Sequence, residues 1–499
     1  MNEESVLSVL DELAKAGVRD ICVCPGRRNS PFVGMLSDQK RFRCWWWYEE
    51  RSAAFFAVGK SRATNRPVAV ITTSGTAAGE LLPAVMEAYY TGTPLIVITA
   101  DRPRHMRGTG APQAAEQVGL YGIYTSFALD LENEPCHLGN WDRNGPAHLN
   151  ICLDEPLLAD SRELPEMNEV PKEHRKPSLA ECQKFEQFVL YIQNPVVIVS
   201  TLSVEDREPV VEFLIKMNAP VYLEGISGLR EEPRLQHLRV SQIRISEIDS
   251  VLRIGGVPTL RAWRDFENMQ DKLQILSISN VPFSGLSRGV LIQQSIGNFL
   301  QSVDIREFST PQEWIDEDRA REVACLELME TYPLAEPSLM HQISNKIPNG
   351  SLVYLGNSMP IREWDLAATY ESKQFNTVAS RGLNGIDGQI STFLGMVEEG
   401  QENWIILGDL TALYDLAGPW ILRQMSNYKI QFVVINNGGG QIFSKFYSQK
   451  EFLNSHNLDF TSMAKFWGIQ DQLIELIPDS TQTQNFWEEY SNLNVRIAR

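Results

Sequence analysis

GDLTALYDLAGPWILRQMSNYKIQFVVINNGG, residues 408–439, decides how this 499-residue chain is read. The apolar run ending at Gly408 and the run IQFVVI read as two buried strands bracketing a helix, the pattern of a parallel sheet. Asp409 closes the first strand and Asn437 follows the second, so both fall at strand carboxyl ends, where parallel sheets bind ligands. Each can give one oxygen to a hard divalent cation, and the Gly439 carbonyl can give another. Diphosphate oxygens and water would complete the octahedron that magnesium demands. Gly438 to Gly440 let backbone approach a diphosphate without a side-chain clash, and the intervening helix can point N–H groups at phosphate. Asp-Leu or Asn-Asn-Gly alone reads as an ordinary turn. Together, each after an apolar strand, they read as a site.

Outward from this stretch the same alternation recurs. DICVCPG, PVAVITTSGT and PLIVITADRP are short apolar strands separated by helices such as RSAAFFAVGKSRAT, and PAHLNICLDEPLL closes the first unit near residue 155. A polar, Pro-rich stretch, Ala159 to Leu179, reads as a linker. NPVVIVSTLSVEDREPVVEFLIKMNAPVYLE opens a second strand–helix–strand unit, and charge density rises at a second boundary near Ser309–Arg319. The fold class is therefore α/β, with three doubly wound parallel-sheet domains at 1–158, 180–308 and 320–499. The chain ends at VRIAR with little after its final strand, which implies a thin cover over the site.

Bulk composition narrows the function. The net charge of −18 argues against nucleic acid and anionic membrane surfaces, which need basic patches. No apolar run approaches the ~20 residues of a membrane span, and the acidic, amphipathic N-terminus does not read as a secretory signal. Seven scattered cysteines lack zinc-ligand spacing, and Cys22 and Cys24 read as buried thiols, in keeping with a cytoplasmic protein.

The Gly-Asp-x…Asn-Asn arrangement resembles the thiamine-diphosphate fingerprint, with Leu410 where many members have Gly. A thiamine enzyme also needs a carboxylate against the aminopyrimidine ring. A carboxyl in an apolar pocket has a raised pKa and can share a proton with the ring nitrogen. Glu50 qualifies, after the aromatic RCWWWYE and before an apolar helix. The plainer reading is that Glu49 and Glu50 only charge the first turn of that helix.

CPGRRNSP, YEERSAAFFAVG, TTSGTAAGELLPA, TADRP, GNSMPIR, SRGLNGIDGQIST, GDLTALYDL and NNGGGQIFS follow one another as in one thiamine family. The chain resembles the 2-succinyl-5-enolpyruvyl-6-hydroxy-3-cyclohexene-1-carboxylate synthases of menaquinone and phylloquinone biosynthesis. The likeness is strong in the first and last thirds and loose in the middle, through GGVPTLRAW. It implies decarboxylation of 2-oxoglutarate and conjugate addition of the remaining fragment to isochorismate. Thiamine diphosphate and Mg2+ or Mn2+ would be the cofactors. The assembly would be a homodimer or homotetramer with active sites at subunit interfaces.

By the same resemblance Glu50 activates the pyrimidine, and Asp409, Asn437 and Gly439 hold the metal. Ser74, Gly75, Gly408, Leu410, Gln441, Ile442 and Phe443 line the cofactor, with Ile386 of GIDG as the wedge that bends it. Arg28, Arg102 or Arg107, Gln113, Asn357, Ser358, Arg362 and Arg381 meet substrate, with Ile442 and Phe443 in the remaining pocket wall and Arg261 as a middle-domain candidate. Arg forks suit substrates carrying two carboxylates each. Outside this motif set, Ser358 can cap the helix that starts at Pro360, Arg28 and Arg381 can be solvated charges, and Ile386 can be core. Arg27 departs from the family, which usually has a small polar residue there, and brings another guanidinium to the pocket mouth. No histidine is required.

Three other readings compete. A thiamine carboligase or decarboxylase acting on pyruvate-like substrates would share Glu50 and the metal site but not need the arginines. A non-catalytic homologue should have lost those residues. A nicotinamide or flavin enzyme would need G-x-G-x-x-G after VVIVSTLSV, which is missing.

Overall fold

The computed structural model describes residues 2–155, 157, 176–444, 446–447 and 449–497. The stretch 159–175 of the expected linker lies outside them.

The first sheet contains β1 (Asp20–Val23), β2 (Arg43–Trp46), β3 (Val68–Thr72), β4 (Leu95–Asp101), β5 (Phe127–Leu131) and β6 (Ala147–Cys152), in the order β2-β1-β3-β4-β6-β5. The second contains β7 (Pro195–Val199), β8 (Val221–Leu223), β9 (Ser250–Ile254), β10 (Gln274–Ser279) and β11 (Val290–Gln293), in the order β11-β10-β9-β7-β8. The third contains β12 (Leu352–Leu355), β13 (Asn376–Val378), β14 (Glu402–Gly408), β15 (Lys429–Ile435) and β16 (Leu473–Leu476), in the order β13-β12-β14-β15-β16. Every neighbouring pair is parallel.

The physical reason is in the runs. β3, β4 and β7 are buried at every position, as strands covered on both faces must be. All three sheets reverse direction next to their first strand: between β1 and β3, between β7 and β9, and between β12 and β14. These switch points are where an α/β sheet opens a crevice. β5 was not anticipated, because it is a half-exposed edge strand with no continuous apolar run.

By internal packing the chain divides into two compact units. One holds Met1–Glu173 with Ser380–Glu399 and Thr411–Tyr428. The other holds His174–Ala379, Gly400–Leu410 and Lys429–Arg499. In the first unit the helices Glu50–Thr64 and Gln389–Met396 touch backbone to backbone. A Cβ on Gly59 would stand 1.9 Å from Thr392 O, and one on Gly395 2.2 Å from Phe56 O. Two missing side chains thus seat the helix that carries Glu50.

Two expectations are corrected. The boundary near Ser309–Arg319 runs into a continuous helix, Gln312–Thr331. Trp314 and Ile315 at its start join the core beside the second sheet, whereas Cys325 and Leu328 pack with Ala367 and Phe486. The rise in charge there thus belongs to a helix whose two ends pack into different cores. The region after β16 is not bare either: an 18-residue helix, Ser480–Ile497, follows it.

Candidate active site

In the first unit, the turns after β1, β3 and β4 are CPGRRN, TSGT and RPRH, on neighbouring strands. Asn29 builds the first turn, donating to Cys24 O at 2.9 Å and accepting from Gly26 N at 2.7 Å. That turn seats Arg28, which is buried and donates to Leu153 O at 2.8 Å. Burial, and then the positive charge of Arg102, lower its pKa. Arg102 donates to Pro112 O through Nε and Nη2 at 3.0 and 2.6 Å. That contact ties it beside Gln113, whose φ of +56° is unusual for a residue with a side chain. Gly75 approaches Gln113 and donates its N–H to Gln117 at 2.9 Å, with Ser74 buried beside it. Arg28, Arg102, Gln113, Ser74 and Gly75 are therefore brought together by one set of strand ends.

Glu49 and Glu50 have different roles. Glu49 caps the helix, accepting from the Arg51 and Ser52 backbone N–H groups at 3.1 and 2.8 Å. Glu50 is left half-buried, with a long 3.4 Å hydrogen bond from Thr72 Oγ1, and burial raises its pKa. The simple first-turn reading holds for Glu49 and not for Glu50.

Two buried carboxylates in this unit were invisible in the sequence. Glu87 accepts from the Gly382 and Leu383 N–H groups, both at 2.9 Å, and so fixes the loop SRGLNGIDG that carries Arg381 and Ile386. Both of those side chains are half-buried. Asp415 accepts from Ser391 N at 2.7 Å, Ser391 Oγ at 3.0 Å and Ser52 Oγ at 3.2 Å. Burial pushes its pKa up to about 6.

In the second unit, β14 and β15 pair with Gly408 opposite Ile435, so Asp409 and Asn437 emerge from adjacent strand ends. Asp409 is buried. Its Oδ1 accepts from Leu410 N at 2.6 Å and its Oδ2 from Gly439 N at 2.9 Å. Its pKa is raised because burial outweighs these bonds. His456 was not anticipated. Its Nδ1 accepts from Leu458 N at 3.2 Å, which puts the ring proton on Nε2, 3.3 Å from Asp409 Oδ2.

Asn436 is tied up, donating to Leu458 O at 2.8 Å and Glu475 at 2.7 Å. Asn437 donates its Nδ2 to both oxygens of Glu336, at 3.1 and 3.0 Å, and its buried Oδ1 has no hydrogen-bond partner. Glu336 is 3% exposed, and burial lifts its pKa to about 7. Glu363 lies behind it, its pKa raised well above the usual range by burial and then by the charge of Glu336.

The need for glycine at 439 has a nearer cause than the one expected. Its φ is +138°, and a Cβ would meet Leu453 O at 2.4 Å. Gln441 donates to Asn437 O at 3.3 Å, and Ile442 and Phe443 follow on the same short 3-10 turn, Phe443 exposed. Leu410 faces Gly440.

Ser358 sits just past β12, the strand next to β14, with φ +76° and no side-chain cap on the helix Met359–Ala367. The capping reading of Ser358 is thus corrected; it is a strained residue at the strand end, with the buried Asn357 before it. Three predicted arginines already meet protein groups. Arg107 is matched by Asp130 at 2.6 and 2.9 Å and Asp101 at 3.3 Å, so it secures its own loop. Arg362 donates to Ser358 O and faces a cavity shared with Tyr222, Arg230, Arg239 and Tyr370. Arg261 is exposed and lies 3.7 Å from Asp265 on its own helix. Arg27 is also exposed, 3.5 Å from Glu155.

The donor set fits a hard dication. Among the described residues, no group of three or more His, Cys, Asp and Glu side chains is arranged to hold a metal ion. An ion at Asp409 would instead take amide, backbone and phosphate oxygens, and the orphaned Asn437 Oδ1 is one of these.

A parallel sheet offering Asp409 and Asn437 together, and a half-buried Glu50 free of capping, define the class of thiamine-diphosphate enzymes. Residues 7–120 match the thiamine pyrophosphate enzyme, N-terminal TPP binding domain, family. A relative from Bdellovibrio bacteriovorus named 2-succinyl-5-enolpyruvyl-6-hydroxy-3-cyclohexene-1-carboxylate synthase is 42% identical, across 99% of both chains. Relatives of the same name from Akkermansia muciniphila, 35% identical over 98% of this chain and 99% of theirs, and Listeria monocytogenes, 29% identical over 100% and 96%, agree. The chain belongs to the 2-succinyl-5-enolpyruvyl-6-hydroxy-3-cyclohexene-1-carboxylate synthase family.

Proposed function

We propose that the chain decarboxylates 2-oxoglutarate and adds the remaining four-carbon fragment to isochorismate, in menaquinone or phylloquinone biosynthesis. The observation that carries this is the division between Glu49 and Glu50. One glutamate caps the helix, so the other keeps a half-buried carboxyl with a raised pKa and a long hydrogen bond from Thr72. Thiamine diphosphate, when bound, supplies the electron sink for the bond that breaks at the 2-oxo acid. Glu50 would hold a proton against the aminopyrimidine nitrogen, which a carboxyl raised by burial does better than a solvated one. Asp409, Asn437 and the Gly439 carbonyl would hold Mg2+ or Mn2+ against the diphosphate.

Arg28 and Arg102 are the arginines best placed to take substrate carboxylates, Arg28 being already desolvated. Gln113, Asn357, Ser358 and Arg381 complete the proposed wall, and Ile386 supports the cofactor. The working assembly is proposed as a homodimer or homotetramer with active sites at subunit interfaces, in the cytoplasm.

The test is loss of isochorismate absorbance with thiamine diphosphate, Mg2+ and 2-oxoglutarate. Loss that needs every component supports the reading. Carbon dioxide release from pyruvate with isochorismate untouched would instead favour a pyruvate-type carboligase.

A further inference from the structure

The two ends of an asparagine amide have nearly the same shape but opposite chemistry: one accepts and the other donates. A metal ligand needs the oxygen end, so something must fix the orientation. At Asn437 that partner is visible. The Glu336 carboxylate accepts from Nδ2 with both oxygens, at 3.1 and 3.0 Å, and the buried Oδ1 is left with no hydrogen-bond partner.

We propose that Glu336 is a positioning residue which locks the Asn437 amide so that Oδ1, not Nδ2, faces the divalent cation. This rests on the reading of Asp409 and Asn437 as the metal-holding pair. Glu336 suits the task because it is itself held. It lies in the first turn of the helix Glu336–Lys346, before Pro337, and its backbone N–H donates to Thr483 Oγ1 at 3.1 Å. With both of its oxygens turned to Nδ2, the Glu336 carboxyl meets the donor end of the amide and so selects one orientation. The neighbouring Asn436 is likewise held through its Nδ2, which donates to Leu458 O and Glu475. Each asparagine of the pair has its own glutamate, and only the one held by Glu336 keeps a buried oxygen unspent.

The experiment is a titration of free Mn2+ by electron paramagnetic resonance on the full chain with thiamine diphosphate. It compares the parent with Glu336→Met, Glu336→Gln and Asp409→Asn, and checks each fold by thermal unfolding without metal or cofactor. Methionine fills the space but cannot accept, so Mn2+ should bind about 10–100-fold more weakly, the usual cost of losing an outer-shell partner. Glutamine can accept from Nδ2 through Oε1 and should stay within a few-fold of the parent. Equal losses in Met and Gln variants, or a Met variant that binds like the parent while Asp409→Asn does not, overturn the proposal and leave the metal reading standing. Parent-like Mn2+ binding by Asp409→Asn overturns the metal reading itself. If Glu336→Met does not fold, Glu336→Ser replaces it with the same expectation.

Discussion

The second and third sheets wind in the same order, yet their switch points differ completely. Between β7 and β9 the chain fills its own crevice. Gly255, at φ +97°, packs so tightly that a Cβ would stand 2.5 Å from Thr201 O, and Gly256 N–H donates to that same carbonyl at 3.1 Å. Between β12 and β14 the corresponding turns present Ser358 and Asp409, with Asn437 one strand further on. Winding creates a crevice, but the residues that leave the strands decide whether it stays open. The same contrast argues against a nucleotide in the middle sheet, which also lacks the glycine motif.

The largest expected effect sharpens the contrast between open ends. Glu50→Gln should lower kcat by about 10²–10⁴, the usual worth of a positioned proton carrier, while Mn2+ affinity stays at the parent value. Steady-state kinetics beside metal titration would reveal a joint loss, which would mean that Glu50 is structural. Asp409→Asn should behave in the opposite way. Metal affinity should fall by more than the about 10–100-fold expected of outer-shell partners, and excess metal should restore part of the rate.

Asp415 is the control carboxylate: buried and hydrogen-bonded, but predicted to act on stability and not on rate. Its folded pKa of about 6 lies above the ordinary 3.8, so folding favours the neutral form. The stability it contributes is present in full at acid pH and is lost as pH rises through about 6. From pH 4 to 6.5 the parent should lose on the order of 2 kcal/mol relative to Asp415→Asn, as read by denaturant unfolding at each pH. Parallel curves for the two proteins would contradict this.

The smallest effect belongs to the closed crevice. Gly255→Ala should cost about 1–3 kcal/mol of stability, from backbone strain and crowding of Thr201, with Mn2+ affinity unchanged. A change in metal binding would break the comparison, because it would couple the middle crevice to the third sheet.

Much of the site was legible because catalytic needs impose local residue types. Asp409, Asn437 and Glu50 each follow an apolar strand within a few residues, and that pattern survives in one dimension. Arg107 was ambiguous for the opposite reason. An arginine near a strand end looks the same in sequence whether its fork meets Asp130 or a substrate, and only the fold tells them apart. Glu87, Glu336, Glu363 and His456 carry no local signal at all. They sit on ordinary helices and loops, and each matters only through a group distant in sequence.

By itself the sequence determined the α/β class, the parallel sheets and the strand ends that bear chemistry, since burial of both faces of a strand is written in continuous apolar runs. It also carried the family, through motifs spread over the first and last thirds. Tertiary structure alone decided which of two adjacent glutamates caps its helix, which asparagine of a pair has a buried oxygen without a partner, which arginines are already matched, and that the turn after β9 packs against the turn after β7. Those are contests among groups far apart in the chain for the same hydrogen bond or the same space, and they have no outcome until the chain is packed.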